Sequence, residues 1–282
     1  MKKFLMATDL SPRSDRALAR AIRLASEHGA ELIIAHVVDE GFPALIADAQ
    51  ETAARKIIQD HVDALMQDND INVSVEIILS QAHVGILEMS EKTGAELIVL
   101  GVHREDAFKD MYRGTTAERV IRASNVPVLL VKELSNEAYR RVMVGVDFSI
   151  YSRRAAQFAI RFVPDGQFHL LHAYDVPFKG FMRGQETRRQ VNQEQEAQFR
   201  KMVEEEMASF FASLETKAPE LERVMKEGPP REVLLDQARR IKPDLLVIGT
   251  HGRTGIAHVF LGSVAEDMLR APPCDVLAVN AV

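Results

Sequence analysis

Apolar positions in this chain gather into short unbroken runs separated by amphipathic stretches. Leu97-Ile98-Val99-Leu100 and Leu245-Leu246-Val247-Ile248 contain no polar residue, and each stops at a glycine, Gly101 or Gly249. A strand buried on both faces reads this way, so both runs predict parallel strands in a sheet covered by helices. Elsewhere the spacing is helical. Leu18, Ile22 and Ala25 follow Ser11-Pro12, with the serine placed to cap a helix and the proline suited to its first turn; Gly29 marks the stop. The pattern then predicts a strand over 31–38 and a helix over about 44–66, with a longer, densely charged counterpart over about 185–216.

The runs repeat. Gly101 and Gly114-Thr115 return as Gly249 and Gly262-Ser263, each 148 positions later. Val126-Pro127-Val128-Leu129-Leu130-Val131 answers Cys274-Asp275-Val276-Leu277-Ala278-Val279. The front halves correspond too: Asp9-Leu10-Ser11 with Asp147-Phe148-Ser149, and His36-Val37-Val38-Asp39 with His172-Ala173-Tyr174-Asp175. Markers in one order at several places in each half define a tandem repeat. Each half reads as five strands alternating with helices, which predicts two tandem doubly wound parallel five-stranded α/β sheets. The expected domains span 1–134 and 138–282, with the bend between them in the polar stretch Glu133 to Tyr139.

Composition narrows the class. Hydrophobic residues make up 46% and charged residues 27% of 282, the balance of a globular protein with ample core. A net charge of −6 argues against nucleic-acid binding by broad electrostatics. One cysteine, Cys274, excludes an intramolecular disulfide, fits a reducing compartment and reads as a small buried hydrophobe. Asp9 ends the apolar amino-terminal run too early for a secretory signal. No stretch approaches the roughly 20 apolar residues that span a bilayer, so a cytoplasmic location away from membranes is expected.

The chemistry concentrates after the second glycine-ended strand, in Gly249-Thr250-His251-Gly252-Arg253-Thr254-Gly255 and then Gly262-Ser263. Ligands of open α/β sheets sit beyond the carboxyl ends of the strands, where the winding reverses. Glycines there permit close backbone approach or positive φ. A helix starting at Gly262-Ser263 offers unpaired amides to phosphate oxygens, and the serine adds a hydroxyl. Glycines that only shape a turn, with Ser263 only capping a helix, would read identically. The loop is neither a Walker A sequence nor a dinucleotide fingerprint.

The segment Gly249-x2-Gly252-x9-Gly262-Ser263 resembles the nucleotide-binding signature of the universal stress protein family. Asp147-Phe148-Ser149, the His172 strand and the ending Ala271-Pro272-Pro273-Cys274-Asp275-Val276-Leu277-Ala278-Val279 resemble it as well. The resemblance covers nearly the whole chain, twice, and implies the adenine nucleotide alpha hydrolase-like fold of that family. It implies ATP, with or without Mg²⁺, as ligand. Asp147 would lie near the adenine and Ala173 would touch the base through its backbone. Gly249, His251 and Gly252 would line the ribose and first phosphates, and Gly262, Ser263 and Val264 the outer phosphates. Arg253 joins this set from its charge and position alone; a solvated loop cation would look the same. The resemblance also implies that closing strands pair in family dimers, so the two copies are expected to form an internal pseudo-dimer. Further association of chains, and the protein partner, are left open.

The first copy departs from the signature. Arg104 stands where the second has Gly252, and a Cβ at a positive-φ site costs on the order of 1 kcal/mol. Its nine spacer residues, Glu105 to Arg113, carry three acids and two bases, against one base and no acid in Arg253 to Leu261. A polyanion is expected in the second copy, while Arg104 could itself grip an anion weakly in the first.

Other constellations are set aside. His169 and His172 point to opposite faces of a strand and cannot chelate one ion. His251 and His258 have no nearby cysteine to complete a zinc set. No Gly-x-Ser-x-Gly elbow is present. Glu204-Glu205-Glu206 reads as a solvated helix face. Phe178 to Gly184 follows a strand near the ligand edge, where it could cover a nucleotide, contact a partner or pack on the sheet. The sequence thus favours a nucleotide-responsive stress protein that acts by binding, over a slow ATP hydrolase or a scaffold that binds no nucleotide.

Overall fold

A computed structural model describes residues 1–66, 71–102, 115–135, 137–175, 186–214, 220–251 and 261–280, with backbone alone for 186–195. The first half runs β1 (Lys3–Thr8), α1 (Pro12–His28), β2 (Glu31–Val38), α2 (Ala44–Leu65), β3 (Val73–Leu79), α3 (Ala82–Thr93), β4 (Leu97–Gly101), α4 (Thr116–Ala123), β5 (Val128–Val131). The second runs β6 (Arg141–Gly145), α5 (Ile150–Phe162), β7 (Gln167–Tyr174), α6 (Glu186–Ala212), β8 (Glu220–Glu227), α7 (Pro230–Ile241), β9 (Leu245–Gly249), α8 (Ser263–Arg270), β10 (Asp275–Val279). The stretch 178–184 lies outside the described residues.

The strands follow the order β3-β2-β1-β4-β5-β10-β9-β6-β7-β8. Each half is therefore a doubly wound parallel sheet whose winding reverses between its first and fourth strands. The two sheets expected from the sequence are joined edge to edge by antiparallel pairing of β5 with β10. Leu129 lies opposite Leu277, its own equivalent in the repeat, so a pseudo-twofold axis passes through that pair. Closing each edge on the other also covers apolar strands that would otherwise template aggregation.

Period-two alternation sorts the strand residues onto two cores. Phe4 and Met6 join α1 and α5 residues such as Ala17 and Ala156, while Leu5 joins Ile86, Val120 and Leu234 from α3, α4 and α7. Both cores cross the joint, since Leu129 and Leu277 belong to one, and Leu130 and Val276 to the other. Gly29 ends α1 in the left-handed region, at φ 59°, as its position predicts. Ser11 does occupy the cap position of α1, but its side chain makes no cap hydrogen bond; Ser149, at the start of α5, does cap, accepting from the Ser152 N–H.

One buried carboxylate ties the linker to both halves. Asp275, 1% exposed, accepts the Tyr139 hydroxyl at 2.6 Å and the Lys132 and Glu133 N–H groups at 2.8 and 3.1 Å. Arg20 of α1 lies 3.5 Å from it, stacks 4.4 Å over the Tyr139 ring and donates to the Glu137 carbonyl at 2.6 Å. Burial, together with the Asp275 charge, drives the Tyr139 hydroxyl pKa well up. The same two causes push the neighbouring Cys274 thiol up to about 12. The repeat places Pro127 opposite Asp275 in the first half, so the tie exists on one side of the axis only.

Asp275→Ala would leave Arg20 buried without its counter-charge and the Tyr139 hydroxyl without its acceptor, which costs about 3–5 kcal/mol. Urea denaturation of the variant should show that loss; a change below ~1 kcal/mol, the scale of an exposed ion pair, would contradict it. The Cys274 thiol should stay unreactive toward a disulfide reagent until the chain unfolds.

Candidate functional site

A cavity of about 270 Å³ opens between the carboxyl ends of β6 and β9, the reversal point of the second half. Asp147, Ala173, Gly249, His251, Gly262, Ser263 and Val264 all line it. The structure thus brings together seven of the residues singled out from the sequence. Gly252 and Arg253 lie outside the described residues, as do Arg104 and Gly114 of the first copy.

The rim carrying Asp147 is a rigid turn. Asp147 Oδ1 accepts both the Ser149 hydroxyl, at 2.5 Å, and the Ser149 N–H, at 3.0 Å. Ser152 Oγ in turn accepts the Asp147 N–H at 3.4 Å. The turn forces Phe148 to φ 63°, unusual for a bulky residue, and its ring lies 4.1 Å from that of His172. Leu10, its counterpart, has φ 61°. His172 is buried with Nδ1 2.7 Å from the Val146 carbonyl, while His169 Nδ1 reaches Glu222 at 2.8 Å. Both histidines serve the sheet. No group of His, Cys, Asp or Glu able to hold a metal occurs among the described residues.

Two glycines do different work from that suggested by their spacing. Gly249 does not have positive φ. A Cβ there would lie 3.1 Å from the Tyr151 carbonyl carbon and 3.2 Å from Ser152 N, so the first turn of α5 already fills the space. Gly101 meets Arg13 and Ser14 in the same way. Gly262 lies at φ −60°, an ordinary value for any residue. It is also the cap residue of α8, which places Ser263 inside the first turn; Ser263 therefore caps nothing.

The starts of α4 and α8 are equivalent in sequence and opposite in state. At α4, Thr115 Oγ1 accepts the Glu118 N–H and Glu118 Oε2 accepts the Thr115 N–H, both at 3.2 Å, a closed capping box. At α8 the cap residue has no side chain, and its N–H donates to the Thr250 carbonyl at 2.9 Å. Glu266, the counterpart of Glu118, is drawn aside to Arg270 at 2.7 Å, with Arg122 of the other half 3.9 Å away. The N–H groups of Ser263, Val264 and Ala265 have no hydrogen-bond partner among the described residues. They carry the partial positive charge of a helix start at the wall of the cavity. Thr250, fully buried, was not singled out from the sequence, where it is one polar residue in a glycine-rich loop. Its N–H donates to the Val279 carbonyl at 3.2 Å, fixing the start of α8 to the end of β10.

The first half has an equivalent cavity of about 590 Å³, lined by Asp9, Ser11, His36 and Thr115 among others. Burial opposes the charge on Asp9, but hydrogen bonds from Ser11 and Ser14 outweigh it and hold the carboxyl below its ordinary range.

Comparison with known proteins agrees with this architecture. The profile of the universal stress protein family matches residues 1–132 and again 138–280. A universal stress protein of Mycolicibacterium smegmatis is 24% identical, covering 98% of this chain and 96% of its own length. The universal stress protein E homolog of Haemophilus influenzae is 23% identical over 99% of this chain and 97% of its own. Among solved structures, a universal stress protein from Archaeoglobus fulgidus superposes with a TM-score of 0.70 at 22% identity, covering 99% of this chain and 98% of that one. No described helix is long and apolar enough to cross a membrane.

Thr115→Ala should cost about 0.5–2 kcal/mol of stability through the lost cap, whereas Ser263→Ala, whose hydroxyl caps nothing, should be near neutral. Equal losses for the two variants in urea denaturation would contradict the difference between the helix starts.

Proposed function

We propose that this chain, which belongs to the universal stress protein family, binds one adenine nucleotide in its second half and acts through that binding. The observation that carries the reading is the open start of α8. Three amides there face a cavity at the winding reversal and need an acceptor that the described residues do not supply. A phosphate chain is a fitting acceptor, because its oxygens take several N–H groups at once and its charge suits the helix dipole. The Ser263 hydroxyl adds a donor. Gly252 and Arg253 would extend the cradle over the first phosphates. Asp147 and the backbone of Ala173, in the wall of the same cavity, would supply polar groups for the base.

Mg²⁺ would be carried in by the phosphates, with the ion's remaining ligands being water. Binding without turnover is favoured by the state of Asp147, whose Oδ1 is committed to Ser149. Ordering of the loop between β9 and α8 by the nucleotide would then change the surface offered to a protein partner. Membership of the family supports a role in the stress response.

The first half is read as closed to polyphosphate. Glu118 places a carboxylate at the start of α4 and occupies the Thr115 amide, which in the second half would correspond to a donor near the phosphates.

Gly262→Asp would set a carboxylate against the outer phosphates. Two like charges about 4 Å apart at surface-like dielectric repel by roughly 4 kcal/mol, about a thousandfold in affinity. Calorimetry with ATP should give one site per chain, lost in Gly262→Asp and kept in Gly114→Asp, with phosphate release at background. Two equivalent sites, or full binding by Gly262→Asp, would overturn the reading.

A further inference from the structure

The starts of α4 and α8 carry one motif twice. Thr115-x-Ala117-Glu118-x-x-x-Arg122 returns as Ser263-x-Ala265-Glu266-x-x-x-Arg270. Each copy offers its glutamate two partners. One is the amide at the start of the motif, reached as in a capping box; the other is the arginine one turn further on, reached as an i,i+4 ion pair. The molecule contains both outcomes. In α4 the glutamate turns back, with Glu118 Oε2 accepting the Thr115 N–H at 3.2 Å, while Arg122 extends across the axis to 3.9 Å from Glu266. In α8 it turns forward, with Glu266 Oε1 accepting from Arg270 Nη2 at 2.7 Å. The Ser263 N–H then has no partner among the described residues, and α8 starts one residue earlier, at a Gly262 cap whose N–H is held by the Thr250 carbonyl.

Closed and open are therefore two settings of one sequence pattern. A carboxylate on the Ser263 amide would take that donor and place a negative charge where the helix start would otherwise meet an anion. Arg270 is the group that holds the open setting, since it is the close partner of Glu266. Its Nε also lies 3.7 Å from Glu118 Oε1, so the same guanidinium stands near the glutamates of both helix starts.

We propose that Arg270 is a positioning residue for the second-half site. It keeps Glu266 off the start of α8, and without it Glu266 turns back to Ser263 and closes that start as Glu118 closes α4. The consequence for ligand rests on the nucleotide reading given above; the switch itself does not.

Two measurements on the full chain separate these parts. The first is amide hydrogen exchange without nucleotide. Arg270→Ala should slow exchange of the Ser263 N–H about fivefold or more, as the amide gains an acceptor, and Arg270→Ala/Glu266→Ala should return it to the wild-type rate. The second is calorimetric titration with ATP. Arg270→Ala should bind about fivefold more weakly, because a closed start must first open, and Arg270→Lys, which keeps the ion pair, should bind like wild type. Arg270→Ala/Glu266→Ala should recover wild-type affinity. A double variant as weak as Arg270→Ala would make Arg270 a simple source of positive charge, and unchanged Ser263 exchange in Arg270→Ala would mean that no carboxylate arrives; either result overturns the proposal. If ATP binds neither wild type nor variants while Ser263 exchange slows and recovers as stated, the nucleotide reading fails and the switch stands.

Discussion

The first amides of an α-helix have no acceptor within the helix, and something outside it must meet them. Much of what distinguishes the two halves of this chain comes from how that demand is answered. At α4 two of the amides, those of Thr115 and Glu118, are met by the side chains of that same pair. At α8, Gly262 has no side chain to offer, the Thr250 carbonyl takes its N–H, and Glu266 leans toward two arginines. The same Glu, at the same place in the repeat, thus plugs one helix start and leaves the other to the cavity. Electrostatics follow the same division: the first-turn carboxylate of α4 lies against its own amide, and that of α8 is paired with Arg270.

Pairing of β5 with β10 gives this asymmetry its setting. The antiparallel joint makes one sheet of two, carries both cores across the axis, and brings α4 and α8 close enough for Arg270 to approach Glu118 at 3.7 Å and Arg122 to approach Glu266 at 3.9 Å. The more exposed of the two, Arg122–Glu266, adds little stability by itself. On the opposite face of the sheet, Asp275 collects the linker amides, Tyr139 and Arg20.

Much of the fold was legible in the sequence because it rests on local periodicity. The unbroken apolar runs became β4 and β9, Gly29 ended α1, and the matched closing strands paired. The candidate site was legible as a set of residues, since every described member faces one cavity. Their individual tasks were less so. The glycine at position 249 suggested room for a ligand, yet the first turn of α5 fills that room, a contact between segments almost a hundred residues apart. Ser263 looked like a cap, but the helix begins one residue earlier. The capping box at Thr115 was hidden because the pattern Thr-x-x-Glu has a near copy, Ser-x-x-Glu, in the other half. What differs between the two starts is the Arg270–Glu266 pair within α8 and the Thr250 carbonyl that takes the Gly262 N–H. The Asp275 tie depends on strand register across the joint, which no local pattern encodes.

The two helix starts can be compared directly in crystals of the full chain grown with ATP. The account predicts phosphate density over the amides of Ser263, Val264 and Ala265, with the Thr115–Glu118 box intact and no triphosphate beside it. A triphosphate seated at the start of α4, or an empty cavity behind Ile248 at saturating ATP, would contradict it.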